Sequence, residues 1–260
     1  MEPRKSGNKS LYQNMGWHYR RLVVPRILPQ CRKIITVSHF ERNRIREALR
    51  LPDGQITTVY NGYSRHFYPQ EDPSPITRKY IEESRYLFFL GNTDPKKNVP
   101  RTLKAYSLYR EKSPKPLPLL IADIKEEILG SILREQGIEH VRPHIVCPGY
   151  IPNTDLPYLY SGAFAFLYTS LRESFGIPLL EAMACGTPVV TSNTSSMPEV
   201  GGPGALLCDP TDAKDIAHKI LSLEKDPALY RQQIQYGLRR AKRFSWETTA
   251  TELLSIYKSI

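Results

Sequence analysis

The sequence predicts an α/β protein built on a parallel sheet with helices on both faces, and three observations carry that prediction. Short apolar runs recur from residue 33 onward, they lack the polar alternation of a half-exposed strand, and helical patterns stand between them. A strand that is apolar on both sides must be covered on both sides, and a parallel sheet between two helix layers provides that cover.

The front comes first in chain order. A helix, a strand at 34–37 and a second helix from Phe40 precede a strand at 57–60, which runs into the Asn61-Gly62 turn. The Pro-rich stretch 68–75 then reads as irregular chain, so a boundary is expected near residue 58. Strands follow at 86–90, 119–122, 145–147, 163–168, 188–191 and 205–207. Helices are signalled at 98–112, 124–136, 178–184 and 212–224, the last with Ile216, Ile220 and Leu223 on one stripe and Asp212 as its N-cap. A final helix covers 245–260. The expected division is 1–58, a remnant of a first domain; 59–245, the sheet domain; and 246–260, a crossover helix. Residues 1–58 are too few to close a doubly wound domain, so the other half is expected either upstream or on another chain.

Composition narrows the class. With 260 residues, 40% of them hydrophobic and 24% charged, the chain can bury a real core. No apolar run approaches the roughly 20 residues of a membrane-spanning helix, and 1–10 is polar and basic without a signal-type apolar stretch, so a cytoplasmic location is expected. Cys31, Cys147, Cys185 and Cys208 form no C-x-x-C pair and read as small buried apolar residues. The net charge is +10, and residues 1–50 hold twelve Lys or Arg against three Glu, so nearly all the excess lies there. Arg20, Arg21, Arg26, Arg32, Lys33, Arg42, Arg44, Arg46 and Arg50 form either a solvated basic face or a peripheral contact with the anionic inner face of a membrane or with a phosphate-bearing substrate such as a lipid phosphate. Nucleic acid is not expected, because no recognition helix or aromatic platform accompanies the charge.

The densest chemical signal is 170–188, Ser-Leu-Arg-Glu-Ser-Phe-Gly-Ile-Pro-Leu-Leu-Glu-Ala-Met-Ala-Cys-Gly-Thr-Pro, directly after a strand. Gly176 permits a tight turn, Pro178 suits a first helical turn, and the amides opening that helix form an anion site fit for a diphosphate. Glu181, one turn on, stands where a carboxylate accepts from ribose hydroxyls, and Glu173 lies where the sugar on a second phosphate would project. On their own the two acids read as helix-flanking residues. Their company changes that reading.

The Glu-x7-Glu element with Phe-Gly inside it, running on into Glu-Ala-Met-Ala-Cys-Gly-Thr-Pro-Val-Val, resembles glycosyltransferase family 4, retaining enzymes of the GT-B fold. The resemblance spans about residues 33–260. It takes in Ile34 to Phe40, the linker-like Val59-Tyr60-Asn61-Gly62, the loop Gly91-Asn92-Thr93-Asp94-Pro95-Lys96-Lys97-Asn98, the segment Gly149-Tyr150-Ile151-Pro152, and the stretches Ser195 to Val200 and Leu206 to Pro210. It implies a Rossmann-like donor domain, the donor-binding half of the GT-B fold, behind a partial N-terminal segment. It also implies hexosyl transfer from a GDP- or UDP-linked sugar to a glycan or lipid-linked acceptor in polysaccharide biosynthesis. The catalytic pair implied is Glu173, which orients the sugar, and Lys97, which binds the diphosphate. Gly91, Asn92, Gly149, Tyr150, Phe175, Gly176, Ile177 and Glu181 complete the implied donor site, with Tyr150 either beside the base or packed away.

No cofactor and no metal are expected, since the chain lacks an Asp-x-Asp motif. Asn92 stands where many members carry an arginine beside the lysine, and the Gly-x-Thr-Asp-Pro-x-Lys-Asn form of the loop resembles mannosyltransferase-like members, which inclines the donor towards GDP-mannose. The family's front glycine-rich loop and histidine find no match. His18, His39, His66, His140, His144 and His218 are read as structural. Two other functions stay open: a nucleotide-sugar-binding fragment that needs a partner domain, and another GT-B enzyme such as an epimerase or phosphorylase.

Overall fold

The computed structural model describes Gly16, Tyr19 and residues 21–259. The basic run 1–10, His18, Arg20 and Ile260 lie outside the described residues.

Each predicted strand forms. The front pair, β1 (Ile34–Thr36) and β2 (Ile56–Thr58), makes a two-stranded parallel sheet with helix α1 (His39–Leu49) between them in sequence. Its core is small: Ile34, Leu51 and Ile56, with Leu28, Cys31, Ile45 and Leu49 packed around them. The remaining strands, β3 (Leu87–Leu90), β4 (Leu119–Ala122), β5 (Ile145–Gly149), β6 (Ala165–Tyr168), β7 (Val189–Ser192) and β8 (Leu206–Cys208), form one parallel sheet in the order β5-β4-β3-β6-β7-β8.

Strand periodicity divides the core in two. Leu87, Phe89, Leu119, Ile121, Ala165 and Leu167 point to one face, where α2 (Val99–Lys112), α3 (Glu126–Gln136) and the later α7 (Ala213–Lys225) cover them. Phe88, Leu120, Phe166 and Tyr168 point to the other, against α4 (Leu156–Gly162), α5 (Ile177–Ala184), α6 (Met197–Gly201) and the end of α8 (Pro227–Ala241). Asp212 caps α7 as expected, its carboxylate accepting from the Lys214 amide at 2.8 Å. The last helix, α9 (Trp246–Ser259), returns to the front: Thr249 Oγ1 donates to the Tyr60 carbonyl at 2.6 Å, and Tyr63 bridges Ser245.

One expectation needs correction. Cys185 and Cys208 are buried, but Cys31 and Cys147 are only half-buried, because each sits at the rim of its packing cluster. Part of the front basic stripe is engaged in surface ion pairs and hydrogen bonds. Arg42 and Arg46 both pair with Asp53, holding its carboxyl below the usual range, and Lys33 donates to the Gly54 carbonyl. Among the described residues no helix is long and apolar enough to cross a membrane.

Candidate functional site

In the six-stranded order the chain runs outward from β3 through β4 to β5, then restarts beside β3 and runs the other way from β6 to β8. The loops leaving the carboxyl ends of β3 and β6 therefore diverge at the reversal point, where open α/β sheets form their crevice. Those two loops carry the Lys97 motif and the Glu-x7-Glu motif.

The first loop is built from side-chain turns. The Gly91 amide donates to the Ala122 carbonyl at 3.0 Å, and a Cβ there would lie 3.3 Å from that oxygen and from the Ile121 side chain, so the chain leaves β3 hard against β4. Asn92 Oδ1 accepts from the Asp94 amide at 2.9 Å, and Asp94 Oδ1 from the Lys96 amide at 3.1 Å. Asn98, at φ +62°, closes the loop: its Nδ2 donates to the Thr169 carbonyl at 3.0 Å and the Pro210 carbonyl at 2.7 Å. The Leu171 amide donates to the Lys96 carbonyl at 2.7 Å, stitching both loops together.

This geometry separates two adjacent lysines. The Lys96 side chain is 48% exposed and pairs with Asp94, whereas the Lys97 side chain is 16% exposed and turns inward. Lys97 Nζ lies 2.8 Å from Glu173 Oε1 and 5.2 Å from the centre of the Tyr168 ring. Asp123, at φ +59°, faces the same ammonium: burial raises its carboxyl pKa and Lys97 opposes the rise. Lys97 and Glu173, far apart in sequence, are thus one ion pair.

Glu173 is fixed on every side. Ser170 Oγ donates to its Oε1 at 2.9 Å, its amide donates to Ser195 Oγ at 3.1 Å, and Ser196 Oγ donates to its carbonyl at 2.9 Å and to that of Phe175 at 3.0 Å. Burial and the neighbouring Glu173 carboxylate keep the Tyr168 phenol protonated. Gly176, at φ +107°, turns the chain into α5, and a Cβ would meet Met197 Cε at 2.5 Å. The amides that open α5 at Ile177 have no preceding helical turn to bond, which makes its start a partial positive charge. Glu181 lies on the second turn, half-buried, with its pKa raised by burial to about 7 against a weak 3.4 Å hydrogen bond from the buried Tyr160 hydroxyl.

Gly149, at φ +79°, ends β5 and accepts from the Asp123 amide at 2.8 Å. Tyr150 beside it is 76% exposed, so packing is not its role. Its flanking glycine turns the ring out of the fold.

The front closes on this site. Glu199 accepts from the His39 and Phe40 amides at 2.7 and 3.1 Å, capping α1, and Ser38 Oγ donates to the Ser174 carbonyl at 2.7 Å. Glu41 accepts from Arg172 at 3.1 Å and from Ser174 at 3.2 Å. Beneath them Tyr60 meets His39, Phe175 and Phe244 at centroid distances of 5.7, 6.0 and 5.6 Å. Burial, followed by the neighbouring Glu199, raises the Tyr60 phenol pKa. The roles of Asp123, Tyr168 and Glu199 escaped sequence reading. Only the Ser195–Val200 pattern hinted at the last.

Residues 76–240 match the family model described as glycosyl transferases group 1, and residues 4–67 that described as glycosyltransferase family 4. O-antigen chain mannosyltransferase B of Escherichia coli is 34% identical over 241 residues, covering 89% of this chain and 61% of that protein. O-antigen chain mannosyltransferase RfbU of Salmonella typhimurium is 25% identical over 209 residues, 80% of this chain and 56% of that one. The chain thus spans about three fifths of the length of these relatives. Sucrose-phosphate synthase from Thermosynechococcus elongatus superposes with a TM-score of 0.78 at 25% identity, over 93% of this chain and 61% of that one. Anabaena HepE in complex with UDP-glucose shares the fold, with a TM-score of 0.75 at 18% identity over 88% of this chain and 64% of that one.

Proposed function

The chain belongs to the glycosyl transferases group 1 family, and from that premise we propose that it carries the donor half of a retaining hexosyltransferase of polysaccharide biosynthesis. The observation that carries the proposal is the inward Lys97–Glu173 pair at the reversal point of the sheet. An incoming diphosphate offers Lys97 the negative charge that Glu173 now supplies, and releases that carboxylate to accept from a sugar hydroxyl. As the bond between anomeric carbon and diphosphate breaks, charge grows on the leaving group, where Lys97 and the amides of Phe175, Gly176 and Ile177 leading into α5 oppose it. Glu173 orients the sugar, and Glu181 receives the ribose hydroxyls.

The named relatives favour mannose as the hexose, and the loop form Gly-x-Thr-Asp-Pro-x-Lys-Asn inclines the donor towards GDP-mannose. The acceptor is a glycan or a lipid-linked glycan, met at the inner face of the membrane. A second reading, donor binding without transfer until a partner domain is supplied, is favoured by the front sheet, which has two strands among the described residues.

The test is a calorimetric titration with GDP, UDP and ADP, followed by GDP-mannose and UDP-glucose. Selective binding of GDP and GDP-mannose is expected. Glu181→Ala should weaken nucleotide binding by roughly 1 to 3 kcal/mol through lost charged hydrogen bonds, and Lys97→Ala should weaken diphosphates more than nucleosides. Equal binding by wild type and both variants would overturn the site.

A further inference from the structure

Beside Glu173 a groove of about 1240 Å³ opens between α1 and the two site loops. Four cationic side chains line it: Arg44 from α1, Lys96 and Arg101 around the start of α2, and Arg172 next to Glu173. Its two acids are already engaged, Asp94 with Lys96 and Glu173 with Lys97. Arg172 pairs with Glu41. Arg44 and Arg101 differ from these in their direct contacts, the Phe40 ring 5.5 Å from the Arg44 guanidinium and Asn98 Oδ1 3.3 Å from Arg101 Nη1, although the Arg101 charge also acts on the Asp209 carboxyl and favours its ionised form. Neither contact neutralises a guanidinium, and each leaves N–H donors of its five for a further ligand.

The charges of the region therefore fall into two sets. Lys97 points inward with Asp123 and Glu173, while Arg44 and Arg101 face a separate groove, and Glu173 lines that groove as well as holding Lys97. A donor diphosphate held by Lys97 would leave the charges of Arg44 and Arg101 available to a second anion. The groove is lined by four cationic side chains against two carboxylates, which favours an anionic occupant.

We propose that this groove binds a phosphate or diphosphate group carried by the acceptor, seating the acceptor's reacting hydroxyl next to Glu173. The proposal rests on the glycosyl-transfer reading above. The phosphate belongs to either a lipid headgroup or a water-soluble phosphorylated glycan, and both present the same anion to Arg44 and Arg101.

Calorimetry on the chain saturated with its preferred nucleotide tests it, using inorganic pyrophosphate, geranyl diphosphate and geraniol as probes. Both diphosphates should bind at one further site and geraniol should not. Arg44→Ala and Arg101→Ala should each weaken that binding about tenfold, the loss of one charged hydrogen bond, while nucleotide affinity stays unchanged. Geranyl diphosphate binding more tightly than pyrophosphate would support a lipid-borne phosphate, and equal binding a soluble one. Absence of a second site overturns the proposal. So does pyrophosphate binding that nucleotide abolishes, or that Lys97→Ala removes and the arginine variants spare. If no nucleotide binds, the transfer reading fails on its own account, and pyrophosphate titration of the nucleotide-free chain and its arginine variants still decides the groove.

Discussion

Glu181 shows how burial can make one carboxylate report on ligand binding. Its pKa is held near 7 because burial penalises the charge more than the distant Tyr160 hydroxyl relieves it, so at pH 6 the folded chain carries it mostly protonated. A ribose hydroxyl donating to it favours the ionised form. Nucleotide affinity should therefore rise as pH climbs from about 5.5 towards 7 and level off above, and Glu181→Gln should flatten that profile. Titrations at a series of pH values check this, and an unchanged profile in the variant would remove Glu181 from the ribose. Stability moves the other way. A carboxyl whose folded pKa exceeds its unfolded value contributes stability below the unfolded value near 4.5, and loses it as pH rises through 7. The same variant should be more stable than wild type at pH 8 by roughly 1 to 3 kcal/mol in denaturant melts.

At the scale of elements, α1 is held by a borrowed cap. Ser38 supplies the local one, its Oγ accepting from the Glu41 amide at 3.2 Å, but the His39 and Phe40 amides are satisfied by Glu199, 160 residues away along the chain. A carboxylate there meets the positive end of the helix as well as two donors, so Glu199→Ala should cost about 1 to 2 kcal/mol. Hydrogen exchange should show the loss in α1 first. Exchange unchanged there would mean that Ser38 caps the helix by itself. Such long-range contacts mark the limit of what the chain reveals before folding. The central strands β3, β4 and β6 were legible because burial on both faces leaves no polar alternation to blur an apolar run. Helices α4 and α6 were not, being short and opening with proline, and α8 hides its apolar stripe behind Gln233 and Gly237, which are buried where an apolar residue was expected. Within the site, Lys97 and Glu173 were legible from their loops, yet their pairing was not. Which of Lys96 and Lys97 turns inward depends on Asn98, whose amide is pinned by carbonyls from two other segments.

The molecule as a whole has a large core on both faces of the six-stranded sheet and a small one at the front, joined through one crowded crossing. The six-stranded sheet has extensive cores on both faces, while the front rests on Ile34, Leu51 and Ile56, too little apolar burial to order a segment of its length alone. Its order must come from contacts with the rest: the Glu199 cap, the Tyr60 aromatic cluster and the returning α9. Two of these, the Tyr60 cluster and the start of α9, meet beside Gly62. A Cβ there would collide with the Trp246 amide nitrogen and lie 2.5 Å from the Ser245 carbonyl carbon. Both atoms are backbone, so no rotamer change relieves the clash. Gly62→Ala must therefore shift the start of α9, stretching the Thr249 hydrogen bond to Tyr60 and disturbing the ring that touches Phe175 in the donor loop. The expected cost is about 1 to 3 kcal/mol, concentrated in the front. Amides of β1, β2 and α1 should exchange faster while those of β3, β4 and β6 keep their protection, and nucleotide affinity should fall because Phe175 carries the strain into the Glu173 loop. Uniformly faster exchange would show that the two parts unfold as one, and unchanged exchange that α9 yields without cost.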